Sequence, residues 1–272
     1  MSKFDAQFYR EFRPFYPPET FLGLEQKLEE RLRERNELGE ILIADLGCGT
    51  GHSAVSLMRS SQFFQAHARI IAIDPDPGML LQGERLLKEL SISSIELKQG
   101  SGEKTDLEDD SVDAILVGSA FHWMNGHQAK EEFKRIFRDK GILRIFEYQF
   151  PKALQLPDLN DWIRRQFNLY WKAPDQKPRG TLMQLTEIFK GDSSFRFLGQ
   201  GQPEMVQQLD SKQLTGLLFS QSRVLHFENT LEPLARTQFR DETRHALESR
   251  MPLNESHPFD FRLAWIEFQL TE

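Results

Sequence analysis

Cysteine is nearly absent: Cys48 is the only one in 272 residues. A single thiol excludes an internal disulfide and any metal site built on a cysteine cluster. Long hydrophobic runs are missing too, and no apolar stretch approaches the ~18 residues that a membrane-spanning helix needs. The first residues lack the charged-then-apolar order of a secretion signal. Positive charge is in deficit, with 34 Lys and Arg against 41 Asp and Glu and a formal net charge of −7. That balance argues against broad, charge-driven binding to nucleic acid, while a local basic groove stays open. The expectation is a cytoplasmic chain with no metal, no membrane and no nucleic acid among its partners. Its oligomeric state is not legible.

Phenylalanine is what the chain has in excess, with 22 residues against a hydrophobic content of only 39%. Aromatic rings can build a core and also line a pocket. The length suits one large α/β domain, or a core carrying a modest insertion.

The most organised stretch is Ile41-Leu-Ile-Ala-Asp45-Leu-Gly47-Cys48-Gly49-Thr-Gly51. An isoleucine-rich run closing on an acid and three alternate glycines predicts a buried parallel strand, a tight loop and a helix from His52. Glycine permits φ > 0 and lets the backbone approach a ligand, toward which the helix then turns its N-terminal N–H groups. His52 stands where the third glycine of the dinucleotide fingerprint falls, and no Lys-Ser/Thr ending makes this a P-loop. Asp45 would repel a pyrophosphate and suits a ligand carrying positive charge. Cys48 reads as a small filler of the loop. Arg69 to Asp74 is a second buried strand ending in an acid. Asp74 falls about 20 residues past the loop, where α/β nucleotide-binding folds place the carboxylate that takes both ribose hydroxyls. A turn role ahead of Pro75 can coexist with that one.

The run from Asp45 to Gly51 resembles the first motif of class I S-adenosylmethionine-dependent methyltransferases. The resemblance implies S-adenosylmethionine as cofactor, with Gly47, Cys48, Gly49 and Gly51 under its methionine part and Asp45 near its amino group. It places Pro75 and Met79 beside the adenosine. Ser101, Gly102 and Glu103 stand where relatives read Gly-Asp-Ala-Glu along the adenine; Ser101 replaces the common aspartate, which leaves the Gly102 N–H to reach a ring nitrogen. Near the start, Tyr9, Arg13, Pro14, Tyr16 and Pro17 match a Tyr-x-x-x-Arg-Pro-x-Tyr-Pro pattern similar to that of trans-aconitate methyltransferase-like enzymes. In those relatives the arm closes over the cofactor, which implies contacts from Tyr9 and Arg13. The plainer reading is an arm packing its rings on the domain.

Further on, Ala114-Ile-Leu-Val-Gly-Ser119-Ala120-Phe121-His122-Trp123 reads as a fourth strand releasing small residues and then an aromatic cluster. Ligands bind at the carboxyl ends of strands in open α/β sheets, so Ser119 and Phe121 are expected at the cofactor and Trp123 at the substrate. His122 is the candidate catalytic residue, as general base, substrate orienter or carboxylate ligand; the alternative is a histidine packed on Trp123. A helix from Gln128 to Arg138, a turn at Asp139-Lys-Gly141 and a strand from Ile142 to Tyr148 complete five strand–helix repeats. An aromatic helix over 161–171, the loop carrying Arg179 and a helix over 181–189 read as a cap at the pocket mouth. Arg179 and Arg223 are candidate anion ligands for a substrate. Glu204 to Leu209 is a short strand, Ser211 to Ser222 a helix, and Phe259 to Leu270 resembles the antiparallel last strand of the class I fold.

The expected architecture is a single α/β domain over 1–272: a doubly wound, seven-stranded Rossmann-like sheet with an antiparallel last strand and a helical cap insertion. An arm and helix occupy 1–38, the cofactor-binding core 41–150, the cap 151–201, and strands and helices completing the sheet 202–272. The expected activity is methyl transfer to a small organic molecule. Carboxylic acids are among the candidates because trans-aconitate-like relatives methylate carboxylates. Two alternatives stay open. An RNA or protein methyltransferase is disfavoured by the charge and by the lack of an Asn/Asp-Pro-Pro-aromatic motif after the fourth strand. A non-catalytic cofactor-binding module is hinted at by Ser101 and the short turn after Arg138.

Overall fold

The computed structural model describes residues 5–34, 40–171, 180–251 and 255–271. The chain forms two compact units, one from 15–148, 180–203 and 263–272, the other from 1–14, 149–179 and 204–262.

The first unit is built on seven strands: β1 (Ile41–Leu46), β2 (Ala68–Asp74), β3 (Ile95–Gln99), β4 (Val112–Gly118), β5 (Phe137–Glu147), β6 (Phe195–Gly201) and β7 (Ala264–Leu270). Their order across the sheet is β3-β2-β1-β4-β5-β7-β6. Strands β1 to β5 pair in parallel, and β7 runs antiparallel to both its neighbours. Helices α1 (Leu24–Glu34), α2 (His52–Ser60), α3 (Gln62–His67), α4 (Pro77–Glu89), α5 (Gly126–Ile136) and α6 (Leu182–Lys190) belong to the same unit. Central strands buried on both faces need continuous apolar runs, and β1 and β4 supply them. The core joins Ile115, Val117 and Ile145 of the sheet to Phe133 and Phe189 of the helices. The direction of winding reverses at β1, so the carboxyl ends of β1 and β4 flank the switch point where such sheets bind ligands.

Several expectations are corrected. Within the expected arm and helix of 1–38, the stretch from Pro18 to Leu38 reads as one helix but is a 3-10 turn (Pro18–Phe21) and then α1, separated by Gly23 at φ 76°; residues 35–38 of it lie outside the described residues. The Asp139-Lys-Gly turn is a kink inside β5, with Lys140 at φ 57° and a register shift against β4. The sixth strand of the sheet is β6, from within the stretch read as a cap. As an edge strand it has one strand neighbour and tolerates Arg196, Gln200 and two glycines, which hide it from a hydrophobic-pattern reading. The strand expected at Glu204–Leu209 is Val206–Leu209. It pairs with His257–Asp260 in a separate three-stranded antiparallel sheet completed by Lys152–Ala153. The terminal strand is correspondingly two strands, broken before β7 where Arg262 takes φ 47°.

That small sheet belongs to the second unit, with helices Ala6–Phe12, Pro157–Leu169, Ser211–Phe219, Ser222–Asn229 and Pro233–Glu248. The helix expected over 211–222 therefore stops at Phe219 and a new one starts at Ser222. Phenylalanine does the packing here: Phe8 lies on Phe12 and Phe219, and Phe219 on Phe239, at centroid distances of 5.5, 6.3 and 6.2 Å.

A buried ion pair ties the sheet to the start of its unit. Arg144 on β5 and Glu267 on β7 are cross-strand partners, both at most 1% exposed, and the Arg144 Nε donates to Glu267 Oε2 at 2.9 Å. The guanidinium also donates to the carbonyls of Thr20 (2.7 Å) and Leu22 (3.2 Å) and stacks 4.2 Å from the Trp265 ring. Lys27 Nζ lies 2.9 Å from the other carboxylate oxygen. Removing one member of a fully buried pair leaves an uncompensated charge. Glu267→Ala is therefore expected to lower unfolding free energy by about 3–5 kcal/mol in urea titrations; a loss under about 1 kcal/mol contradicts this role, since that is the range of exposed pairs.

Candidate active site

The glycine loop leaves β1 with Gly47, Gly49 and Gly51 at φ 70°, 57° and 82°. Gly47 and Cys48 donate their N–H groups to the carbonyl of Ile73 at 2.8 and 3.1 Å, which folds the loop over the end of β2. At Gly47 the requirement is also one of space: a Cβ there would lie 2.5 Å from that of Ala120. Gly51 caps α2, and a Cβ built on it meets no atom within 4 Å.

Two acids stand beneath this loop in different circumstances. Asp74 ends β2, and its Oδ2 accepts the N–H of Gly49 at 2.8 Å while Oδ1 accepts that of Asp76 at 2.9 Å. Each oxygen keeps further acceptor capacity, so the pair can also meet two hydroxyls. Burial raises this carboxyl above the ordinary aspartate range, and the two backbone bonds oppose the rise. Asp45 is fully enclosed rather than presented to solvent. Its Oδ2 accepts from the Ser53 hydroxyl at the start of α2, and its Oδ1 is buried with no hydrogen-bond partner among the described residues. Burial pushes this carboxyl up to about 7, against the Ser53 and Ala54 bonds and with the Asp74 charge. Burial, followed by the charges of Asp45 and Asp74, also pushes the Cys48 thiol well up, so it stays protonated and unreactive near neutrality.

On the β2–β3 side, Pro75 is exposed and Met79 buried on α4, whose cap Asp76 accepts from Gly78 N–H at 2.8 Å. Ser101 pairs its backbone with Lys104. Glu103, expected along the adenine, has its carboxylate engaged by the Asn125 N–H at 2.7 Å. Gly102 is packed under Met124, whose Sδ would lie 2.6 Å from a Cβ at 102 and whose methyl would lie 3.4 Å from one at 47. Met124 thus touches both glycine positions. The only trace of it in the sequence is the glycine at 102.

At the end of β4, Ser119 takes φ 52°, donates its N–H to Phe146 O at 2.7 Å and accepts from the Tyr16 hydroxyl at 3.0 Å. Phe121, expected at the cofactor, turns its ring into the core, 5.5 Å from that of Phe189 and 6.5 Å from that of Phe133. His122 is half-buried with its ring 4.9 Å from the exposed ring of Trp123, so these two stand together at the carboxyl end of β4 as the sequence placed them.

Tyr9, Arg13 and Arg223 belong to the second unit. In the second unit, Arg13 donates from Nε to Ser220 Oγ (2.9 Å) and from Nη2 to Ser220 O (3.1 Å), with its guanidinium 4.7 Å from the Tyr9 ring. Arg223 is half-buried on the helix Ser222–Asn229 of that unit. Arg179 lies outside the described residues. The sequence reading missed Tyr16, Ser53 and Met124, whose side chains shape the site from neighbouring elements.

The enclosed acids set a pH dependence. Unfolded aspartates titrate near 3.8, and the folded chain holds Asp45 at about 7. Between those values the folded state keeps a proton that the unfolded state releases, so stability is full at low pH and falls as pH rises through the window. Denaturation free energies measured from about pH 5 to about pH 8 should decline, and Asp45→Asn, which cannot ionise, should flatten the decline. An unchanged slope in Asp45→Asn contradicts the assignment.

Residues 44–145 match the sequence profile of the family described as a methyltransferase domain. A Dictyostelium discoideum protein designated a methyltransferase is 28% identical over 187 residues, 65% of this chain and 63% of its own length. A Saccharomyces cerevisiae protein designated an S-adenosylmethionine-dependent methyltransferase is 24% identical over 173 residues, 63% of this chain and 52% of its own. The matched regions thus span less than two thirds of these relatives. A solved structure designated a type II methyltransferase from Anaeromyxobacter dehalogenans superposes with a TM-score of 0.61 at 20% identity, covering 95% of this chain and 97% of that one, and has the same fold. The glycine loop, the strand order and the matched segment agree, and residues 44–145 form a methyltransferase domain.

Proposed function

We propose that the chain is an S-adenosylmethionine-dependent methyltransferase acting on a small organic molecule, with carboxylic acids the first class to test. The observation that carries the reading is Asp74: a carboxylate at the end of β2, aimed by backbone N–H groups, one of them from the glycine loop itself. Two acceptor oxygens in fixed geometry suit the cis-diol of a ribose. A glycine loop without side-chain bulk and the helix N-terminus behind it suit the methionine part. The backbone N–H of Gly102 is the candidate contact for the adenine edge.

When bound, S-adenosylmethionine supplies an electrophilic methyl group, which leaves the protein to align the acceptor and keep water out. An ionised carboxylate needs no base, so for such an acceptor His122 would orient rather than deprotonate; for a phenol or amine it would take the proton. The net charge of −7 favours a small acceptor over a polyanion.

Calorimetric titration of S-adenosylhomocysteine into the wild type should show micromolar binding, and Asp74→Ala should weaken it by about 1–3 kcal/mol. Methyl-labelled cofactor incubated with a panel of small carboxylic acids should then yield labelled ester. No binding by the wild type sinks the proposal.

A further inference from the structure

Tyr16 comes from the proline-rich segment near the start of the chain, yet it is buried in the sheet unit and bonds both to the helix after the glycine loop and to the end of β4. Its backbone N–H donates to Ser56 Oγ at 2.9 Å, and Ser56 donates in turn to His52 O at 2.6 Å, so this end is fixed to the helix that follows the glycine loop. Its hydroxyl donates to Ser119 Oγ at the end of β4. Between those two bonds the ring is held edge-on by Phe146 at 4.7 Å and against Tyr148 at 5.4 Å.

Ser119 is where that reach matters. A non-glycine residue at φ 52° is strained, and persists only where its surroundings hold it. Two bonds do so: the N–H to Phe146 O continues the β4–β5 ladder, and the Tyr16 hydroxyl grips the side chain. The next residue, Ala120, leaves no room for a Cβ on Gly47. Any relaxation of the turn at Ser119 is therefore felt in the glycine loop.

We propose that Tyr16 is a positioning residue for cofactor binding, a strut whose hydroxyl holds the left-handed turn at Ser119 and, through Ala120, the shape of the glycine loop. It acts on the cofactor only through that turn. The proposal rests on the methyltransferase reading for its ligand, though not for its mechanical part.

Four variants separate the roles: Tyr16→Phe, Ser119→Ala, Ser119→Gly and the double variant Tyr16→Phe/Ser119→Gly. Phenylalanine keeps the ring and loses only the tether. Alanine loses the tether and keeps the strain, whereas glycine adopts φ > 0 unaided. Amide hydrogen exchange over residues 47–51 should rise about tenfold in Tyr16→Phe and Ser119→Ala. It should stay near wild type in Ser119→Gly and in the double variant. Affinity for S-adenosylhomocysteine should fall about tenfold in Tyr16→Phe, whose side chain is proposed to act only through that turn. Unchanged exchange in Tyr16→Phe overturns the proposal, and so does a double variant as perturbed as Tyr16→Phe alone. If the exchange pattern holds while the wild type binds no S-adenosylhomocysteine, the strut stands and the cofactor reading falls.

Discussion

The hydrogen bond from the Gly49 N–H to Asp74 joins the two parts of the site that matter most. One end is the loop that leaves β1 in left-handed conformations only glycine takes readily. The other is an acid at the end of the neighbouring strand, itself steadied by the Asp76 N–H. Parallel pairing of β1 with β2 brings their carboxyl ends level, and the carbonyl of Ile73 accepts two more loop N–H groups beside the acid. The loop is thus folded onto β2 by three bonds, and the ligand-facing geometry depends on that sheet register.

Burial is the recurring cost of this arrangement. Asp45 lies under the same loop, and removal from water raises its carboxyl despite the Ser53 bond. Arg144 and Glu267 show the other solution, in which opposite charges, backbone carbonyls and an aromatic face compensate desolvation together. The first case leaves one oxygen without a partner among the described residues, close to a binding loop. The second is closed on itself and holds the frame. The contrast separates a buried acid left incompletely compensated from a network that serves the fold.

The sheet was legible from residue pattern because strands buried on both faces carry continuous apolar runs, as β1 does over Ile41–Ala44, β2 over Ile70–Ile73 and β4 over Ala114–Val117. The glycine loop and Asp74 were legible because each depends on residue types that few other conformations require. Edge strand β6 was not, since a strand with one strand neighbour and two glycines carries little hydrophobic pattern. Glu103 was given to the ligand by resemblance and Phe121 by its place after β4; the first accepts the Asn125 N–H and the second fills the core, and both outcomes depend on side-chain direction, which strand-end sequence does not encode. Ser53 and Met124 escaped for a related reason, since only the fold shows which side chains meet Asp45 and Gly102, and Tyr16, though part of the matched proline-rich pattern, carries no sign there of its bond to Ser119.

The most direct test is a crystal structure with S-adenosylhomocysteine bound. The account predicts both ribose hydroxyls within hydrogen-bonding distance of the two Asp74 oxygens, with the methionine part along Gly47 to Gly51. Adenosine bound away from Asp74, or a ribose held by another carboxylate, would contradict it.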